Sequence, residues 1–141
     1  MPLPWSGTEP PFGFSPRGAA APPWLRQPKE WRELTVAAES ASADSMLTLY
    51  REALRIRRSV PAFAVAPLSW RQAPDGVLAF DRGTGESAAE STAGTVATVR
   101  CVANLSAAPV GLPPHASVLL ASGPLDGGLL PPDTTAWLLA G

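Results

Sequence analysis

Apolar and polar positions fall into three stretches with different periods along the chain. Residues 1 to about 44 sustain neither a helical nor a strand period. From 43 to 58, Met46, Leu49, Tyr50, Ala53, Leu54 and Arg57 recur at three- and four-residue spacing, the stripe of an amphipathic helix with a basic last turn. Ser42 stands where an N-cap hydroxyl is wanted. Asp44 lies in the first turn and Arg55, Arg57 and Arg58 in the last, each sign favourable to the helix dipole. Pro61 ends the segment. Leu47 and Ile56 widen the apolar arc, so the helix needs cover on more than one side, and self-association through its exposed face is expected of the isolated chain.

From Pro67 onward the period becomes that of strands. Leu68-Ser69-Trp70-Arg71, Gly76 to Asp81, Val96 to Leu105, Ser117 to Ala121 and Thr135 to Leu139 are short apolar or alternating runs. Turn chemistry separates them: Pro74-Asp75-Gly76, Pro113-Pro114, Gly123-Pro124, Asp126-Gly127-Gly128 and Pro131-Pro132-Asp133. In the third run Ala97, Val99, Cys101, Ala103 and Leu105 are apolar, whereas Thr98, Arg100 and Asn104 alternate with them. The odd positions are therefore expected to face the core. Gly83 to Gly94 reads as a flexible hairpin tip. Five or six such strands predict a mainly β fold, a small antiparallel β-sandwich preceded by an irregular Pro/Trp-rich loop and one α-helix. The expected parts are a loop over 1–44, the helix over 43–62 and an antiparallel β-domain over 66–141.

Composition narrows the function classes. The 141 residues carry a net charge of −1, which leaves no electrostatic footprint for nucleic acid or an anionic membrane surface. One cysteine excludes an internal disulfide, and one histidine beside it makes no zinc site. The first residues have neither a basic nor an apolar signal region, and no apolar run reaches the roughly 18 residues of a membrane span, so a cytoplasmic location is expected. The opening stretch combines nearly half of the 17 prolines with Trp5, Trp24 and Trp31. A bare linker gains nothing from large rings, so this loop is expected to pack against something, and to stay mobile when its partner surface is missing.

No residue pattern here carries catalysis. His115, the one histidine, lies in Pro113-Pro114-His115-Ala116 and reads as a turn residue. Cys101 lies on an apolar strand face and reads as core. Gly83-Thr84-Gly85 and Gly127-Gly128 lack the helix and lysine of a phosphate loop. The carboxylates are scattered. Trp5, Phe12 and Phe14 form an aromatic cluster that either lines a sugar site or packs internally. Trp70, Phe80 and Trp137 read as core. No catalytic residue, metal ligand or cofactor site is expected.

Several words of the sequence, in order, resemble the C-terminal end of glycoside hydrolase family 13, the α-amylase superfamily. In its actinobacterial α-glucosidase and oligo-1,6-glucosidase branch, the loop after the eighth barrel strand reads Arg-Thr/Val-Pro-Met/Leu-Gln/Pro-Trp and then Gly-Phe-Ser. Here it reads Met1-Pro2-Leu3-Pro4-Trp5 and Gly13-Phe14-Ser15, followed by Pro23-Trp24-Leu25-Arg26 and Trp31. The family's last barrel helix is matched by Ser45, Leu47, Tyr50, Arg51, Leu54, Arg57 and Arg58. Gly76-Val77-Leu78-Ala79-Phe80, Arg82, Val102-Ala103-Asn104-Leu105-Ser106 and Leu130-Pro131-Pro132 match its β-domain.

The resemblance implies the last barrel loop, the last barrel helix and the C-terminal β-domain of a retaining glycoside hydrolase. The family's catalytic carboxylates lie on earlier barrel strands, so the chain alone is expected to be inactive and to meet α-glucan oligosaccharides only beside a catalytic barrel. Trp5 and Phe14 would then contact substrate. A truncated gene, a start placed inside a longer frame and a split enzyme each fit this reading. Met1 aligns with the family's threonine or valine, so the codon before it is expected to encode arginine. The alternative is a free-standing β-sandwich that binds carbohydrate or another protein.

Overall fold

The computed structural model describes residues 2–16, 18–19, 21, 23–83 and 97–140. It divides into two compact units, Met1–Glu52 and Ala53–Gly141. The expected hairpin tip lies, from residue 84 onward, outside the described residues.

The first unit is built on the opening loop, a 3-10 helix Lys29–Leu34 and a short helix α1, Val36–Ser40. Both helices lie in a stretch whose sequence shows no helical period; single turns are too short to display one. The start of α1 is fully capped. Thr35 Oγ1 accepts from the Ala38 amide at 3.1 Å. The Val36 and Ala37 amides donate to the carbonyls of Pro4 (3.1 Å) and Trp5 (3.0 Å). These are the donors that a helix start leaves without partners inside the helix.

The long helix α2 spans Met46–Ser59. Ser45, not Ser42, provides its N-cap hydroxyl: Ser45 Oγ accepts from the Thr48 amide at 3.1 Å and donates to Glu39 O at 2.6 Å. Ser42 instead gives its carbonyl to Thr48 Oγ1. Only Ile56 is buried along the helix, while Met46, Tyr50 and Leu54, half of the expected apolar stripe, are exposed.

After the four-residue helix α3, Ala62–Val65, the second unit is antiparallel β. Its larger sheet contains β1 (Leu68–Trp70), β2 (Val77–Arg82), β3 (Val99–Asn104), β5 (Ser117–Ala121) and β7 (Thr134–Leu139), in the order β1-β2-β3-β7-β5. A second sheet pairs β4 (Val110–Gly111) with β6 (Leu129–Leu130). The expected sandwich is thus present. Its two smallest strands escaped the sequence because two residues cannot show alternation. The turn before β2 closes through Val77 N to Pro74 O at 3.0 Å and places Gly76 at φ 77°. A positive φ at the third turn position is what a type II turn requires, and glycine adopts it without cost to a Cβ.

Register shows which side chains share a face. Ala79, Val102 and Ala136 lie side by side across β2, β3 and β7, and with Leu138 and Leu130 they form the buried core. Val77, Val110, Leu112 and Leu125 pack around it. The clustered core of the sandwich therefore includes the even-numbered face of β3 through Val102, beside the odd-numbered Val99 and Cys101 that the alternation predicts to be buried. The odd-numbered face is covered in part as well, by α3 near Arg82 and Trp137. The Phe63 ring lies 5.0 Å from that of Trp137, and Arg82 Nη2 donates to Phe63 O at 2.8 Å. Val99 and Cys101 are buried on this second face. A strand covered on both sides loses the simple in–out code of a half-exposed sheet.

Among the described residues, three polar side chains are buried on the sheet: Asn104, Asp81 and Thr134, the last donating through Oγ1 to Pro132 O at 3.1 Å. Asn104 is fully buried and uses its whole amide: Nδ2 donates to Ala108 O and Leu130 O, each at 2.9 Å, and Oδ1 accepts from Ser106 N (3.0 Å) and Ser106 Oγ (2.7 Å). This ties the end of β3 to β6. Asp81 receives a forked pair from Arg100, its cross-strand partner, at 2.7 and 3.0 Å. Arg71 Nε stands 3.7 Å away.

Candidate functional site

The opening loop is organised around Phe12. The turn Pro11-Phe12-Gly13-Phe14 closes through Phe14 N to Pro11 O at 3.0 Å, with φ 50° at Phe12 and 69° at Gly13. Two successive positive φ values are the signature of a type I′ turn, a conformation that favours asparagine and glycine. Phe12 occupies it with its side chain 0% exposed. Its carbonyl accepts from both the Trp5 amide (2.7 Å) and the Ser6 amide (3.0 Å). A Cβ on Gly13 would come within 2.7 Å of Ser6 Oγ, so the turn and the Trp5–Ser6 segment pack without room to spare.

The Trp5 backbone is therefore fixed on both sides of its Cα, through its N–H to Phe12 O and its C=O to Ala37 N. Its side chain is nevertheless 50% exposed, and that of Phe14 is 48% exposed. The aromatic cluster of the sequence thus separates into one buried packing ring, Phe12, and two half-exposed rings. Beside the turn runs an open groove of about 560 Å³ lined by Ser6, Pro10, Pro11, Gly13, Ser15 and Pro16 among others. That volume is in the range of small-molecule sites. Trp5 and Phe14 do not line the groove themselves; their chain neighbours Ser6, Gly13 and Ser15 do. The sequence signal for the groove, missed in the aromatic reading, is the Phe-Gly pair that follows Pro10-Pro11.

Other candidate groups have structural roles. Cys101 is buried, and burial pushes its thiol above the ordinary range, with a hydrogen bond to Trp137 acting in the opposite direction. His115 lies in the turn before β5, with Nδ1 2.8 Å from Pro113 O. Asp81, a buried carboxylate, is held by arginines. Among the described residues no group of histidine, cysteine and carboxylates could hold a metal ion, and no helix is long and apolar enough to cross a membrane.

The strand aromatics differ from expectation. Trp70, expected in the core, is 67% exposed on edge strand β1, where the Phe80 ring meets it edge to face at 5.6 Å. An edge strand has a neighbour on one side only, so its outer ring has nothing to pack beneath. Leu78 is also exposed on β2, and Leu105 is exposed just beyond the end of β3.

Residues 72–137 match the family model described as a domain of unknown function (DUF3459). None of the curated proteins matches the chain. Among solved structures, the chain is similar to trehalulose synthase MutB from Pseudomonas mesoacidophila MX-45, at 21% identity and a TM-score of 0.70, covering 96% of this chain and 24% of that one. A MutB mutant in complex with the substrate sucrose gives 22% identity, a TM-score of 0.72, and coverage of 99% and 25%. The isomaltulose synthase PalI from Klebsiella sp. LX3 gives 18% identity, a TM-score of 0.74, and coverage of 99% and 24%. At this identity the likeness shows the fold alone. The chain spans about a quarter of the length of these structures.

Proposed function

We propose that the chain serves as the C-terminal part of an α-glucosidase-like glycoside hydrolase, handling α-glucan oligosaccharides in the cytoplasm, and that alone it hydrolyses nothing. The observation that carries this reading is the superposition of nearly the whole chain on one quarter of much longer sugar-converting enzymes. Retaining hydrolysis needs two carboxyl groups about 5–5.5 Å apart, one as nucleophile and one as acid. In this reading both belong to the barrel, and Trp5 and Phe14 form part of the wall of its sugar pocket. The finer placement in the α-glucosidase and oligo-1,6-glucosidase branch rests on the sequence words around Trp5, Phe14 and α2.

Two uncovered apolar surfaces support the reading. One is the sheet surface with Trp70 and Leu78; the other is the α2 stripe of Met46, Tyr50 and Leu54. Surfaces of this kind suit cover by the remainder of an enzyme, and without that remainder the α2 stripe favours self-association. In a test with maltose, isomaltose and an aryl α-glucoside, the purified chain should show no turnover above background. Turnover that is lost on mutating a carboxylate of this chain would overturn the proposal.

A second reading draws support from Trp70. Trp70, Phe80, Cys101 and Trp137 are successive partners across β1, β2, β3 and β7, a mostly aromatic row with an exposed indole at its edge. This suits a carbohydrate-binding module. Retention on a starch or maltodextrin column that disappears in Trp70→Ala would favour it over the first reading.

A further inference from the structure

A half-exposed aromatic side chain on a loop is ordinarily free to choose among rotamers and backbone states. Trp5 differs, because its backbone is hydrogen-bonded through both N–H and C=O, and one of the two bonds depends on a residue in an unfavourable conformation. Phe12 has a φ of 50°, where a bulky L-residue is an outlier. Such a residue persists only when its surroundings over-determine it. Here the surroundings are visible: the ring is fully buried, the amide donates to Glu9 O at 3.0 Å, and the carbonyl takes the amides of Trp5 and Ser6. An asparagine or glycine would make the same turn without strain, but neither would supply an apolar ring to bury.

We propose that Phe12 is a positioning residue: its buried ring holds the left-handed turn, and the turn aims its carbonyl at the Trp5 and Ser6 amides so that the Trp5 Cα–Cβ bond is held in one direction and offers the indole as a stacking surface for a sugar ring. The stacking role rests on the reading of Trp5 as a sugar-pocket wall; the clamp itself does not. Without the ring, residue 12 relaxes toward negative φ, its carbonyl swings away, and the Trp5 and Ser6 amides lose their shared acceptor. The α1 amides still hold the Pro4 and Trp5 carbonyls, so the loss is confined to one side of Trp5. Fixing an aromatic surface before the ligand arrives removes an ordering cost that would otherwise be met on binding.

The five tryptophans make the test internally controlled. The full chain is labelled with 5-fluorotryptophan, the Trp5 resonance is assigned through Trp5→Phe, and amide exchange at Trp5 and Ser6 is followed in parallel. In Phe12→Ala the Trp5 resonance should broaden or split, and exchange at both amides should speed up by about tenfold or more. The lines of Trp31, Trp70 and Trp137 should stay in place. Phe12→Leu keeps most of the buried volume and should leave Trp5 close to its native state.

An unchanged Trp5 line in Phe12→Ala overturns the clamp. If Phe12→Ala also moves Trp31, the segment has lost its fold, and Phe12→Leu decides: a Trp31 shift equal to that of Trp5 overturns the clamp, whereas a native spectrum supports it. Titration of the wild-type chain with maltotriose then asks separately whether stacking is a property of this chain by itself. A shift confined to the Trp5 line supports that, and no shift at millimolar maltotriose overturns it, leaving the clamp result and the barrel-dependent sugar wall untouched.

Discussion

Asn104 offers a direct measurement of how the β-domain is tied together. Its amide makes four hydrogen bonds, and the residue is fully buried. A typical hydrogen bond contributes about 0.5–1.5 kcal/mol net, and a buried group left without a partner costs about 1–3 kcal/mol. In Asn104→Ala, Ser106 and Ala108 lie near the surface and regain water, whereas the Leu130 carbonyl, part of a residue with no exposure, keeps only its ladder bond to β4. The expected cost is about 3 kcal/mol, from the lost hydrogen bonds and packing contacts of the buried amide together.

Asn104→Asp has nearly the same shape but reverses the chemistry. Two carbonyl oxygens then face a carboxylate that has no proton to give. Burial and the two carbonyl dipoles both raise the pKa of the introduced group in the folded state above its unfolded value of about 3.9. The folded variant therefore holds its proton more tightly than the unfolded chain. Its stability is greatest below about pH 4 and falls as pH rises toward the folded pKa, losing about 1.4 kcal/mol for every pH unit that separates the two pKa values. Urea denaturation of the full chain, followed by far-ultraviolet circular dichroism, gives the comparison. The gap between wild type and Asn104→Asp should be about 3 kcal/mol or more at about pH 7, larger than at about pH 4.5. A variant as stable as wild type at neutral pH, or a gap that ignores pH, would refute the assignment of the four bonds.

Arg100→Met should cost about 3 kcal/mol by leaving buried Asp81, among the described ion pairs, with the longer Arg71 contact, and Arg100→Met combined with Asp81→Leu should be less destabilised than the single variant; equal or greater loss in the double variant contradicts this. Gly76→Ala should cost about 2 kcal/mol, since φ is 77° and the new Cβ would lie 3.0 Å from Ser106 Cβ; unchanged thermal stability would show that the turn can shift. Cys101, buried and with its thiol pKa raised, should react with a disulfide reagent at neutral pH only as the domain unfolds. A labelling burst under native conditions would contradict its place under α3.

The sequence disclosed the elements whose length exceeds one repeat of their period. The α2 stripe and the five longer strands were visible for that reason, as was the turn at Gly76, whose chemistry is local. What it concealed depends on partners distant in the chain. Ser42 and Ser45 are equivalent caps until the helix start is known, and only the hydroxyl of Ser45 reaches the Thr48 amide. The odd face of β3 alone looked like the core because Arg100 and Asn104 interrupt the even face. Both are polar groups with dedicated partners, and Val102 between them is the residue that packs. At the candidate site, residue type singled out Trp5, Phe12 and Phe14 together, but exposure divides them, and no sequence period shows that a phenylalanine has been placed where asparagine or glycine belongs.

Phe12 and Trp70, the two aromatics whose surroundings the sequence concealed, bear on function in opposite ways. An exposed Trp70 leaves apolar area uncovered on a sheet whose other face is already sealed by β4 and β6, so the sandwich does not need that surface for its own core. A buried Phe12 does the reverse: it occupies a strained turn so that Trp5, rather than itself, remains outside. Each arrangement keeps a large apolar side chain at the surface where burial would stabilise the isolated chain by about 1.5–3 kcal/mol. In the proposed reading, Trp70 and Trp5 have their contacts completed elsewhere, by polypeptide at the sheet face and by sugar at the loop. The two surfaces are separable by experiment, because Trp70→Ala and Trp5→Phe alter different units.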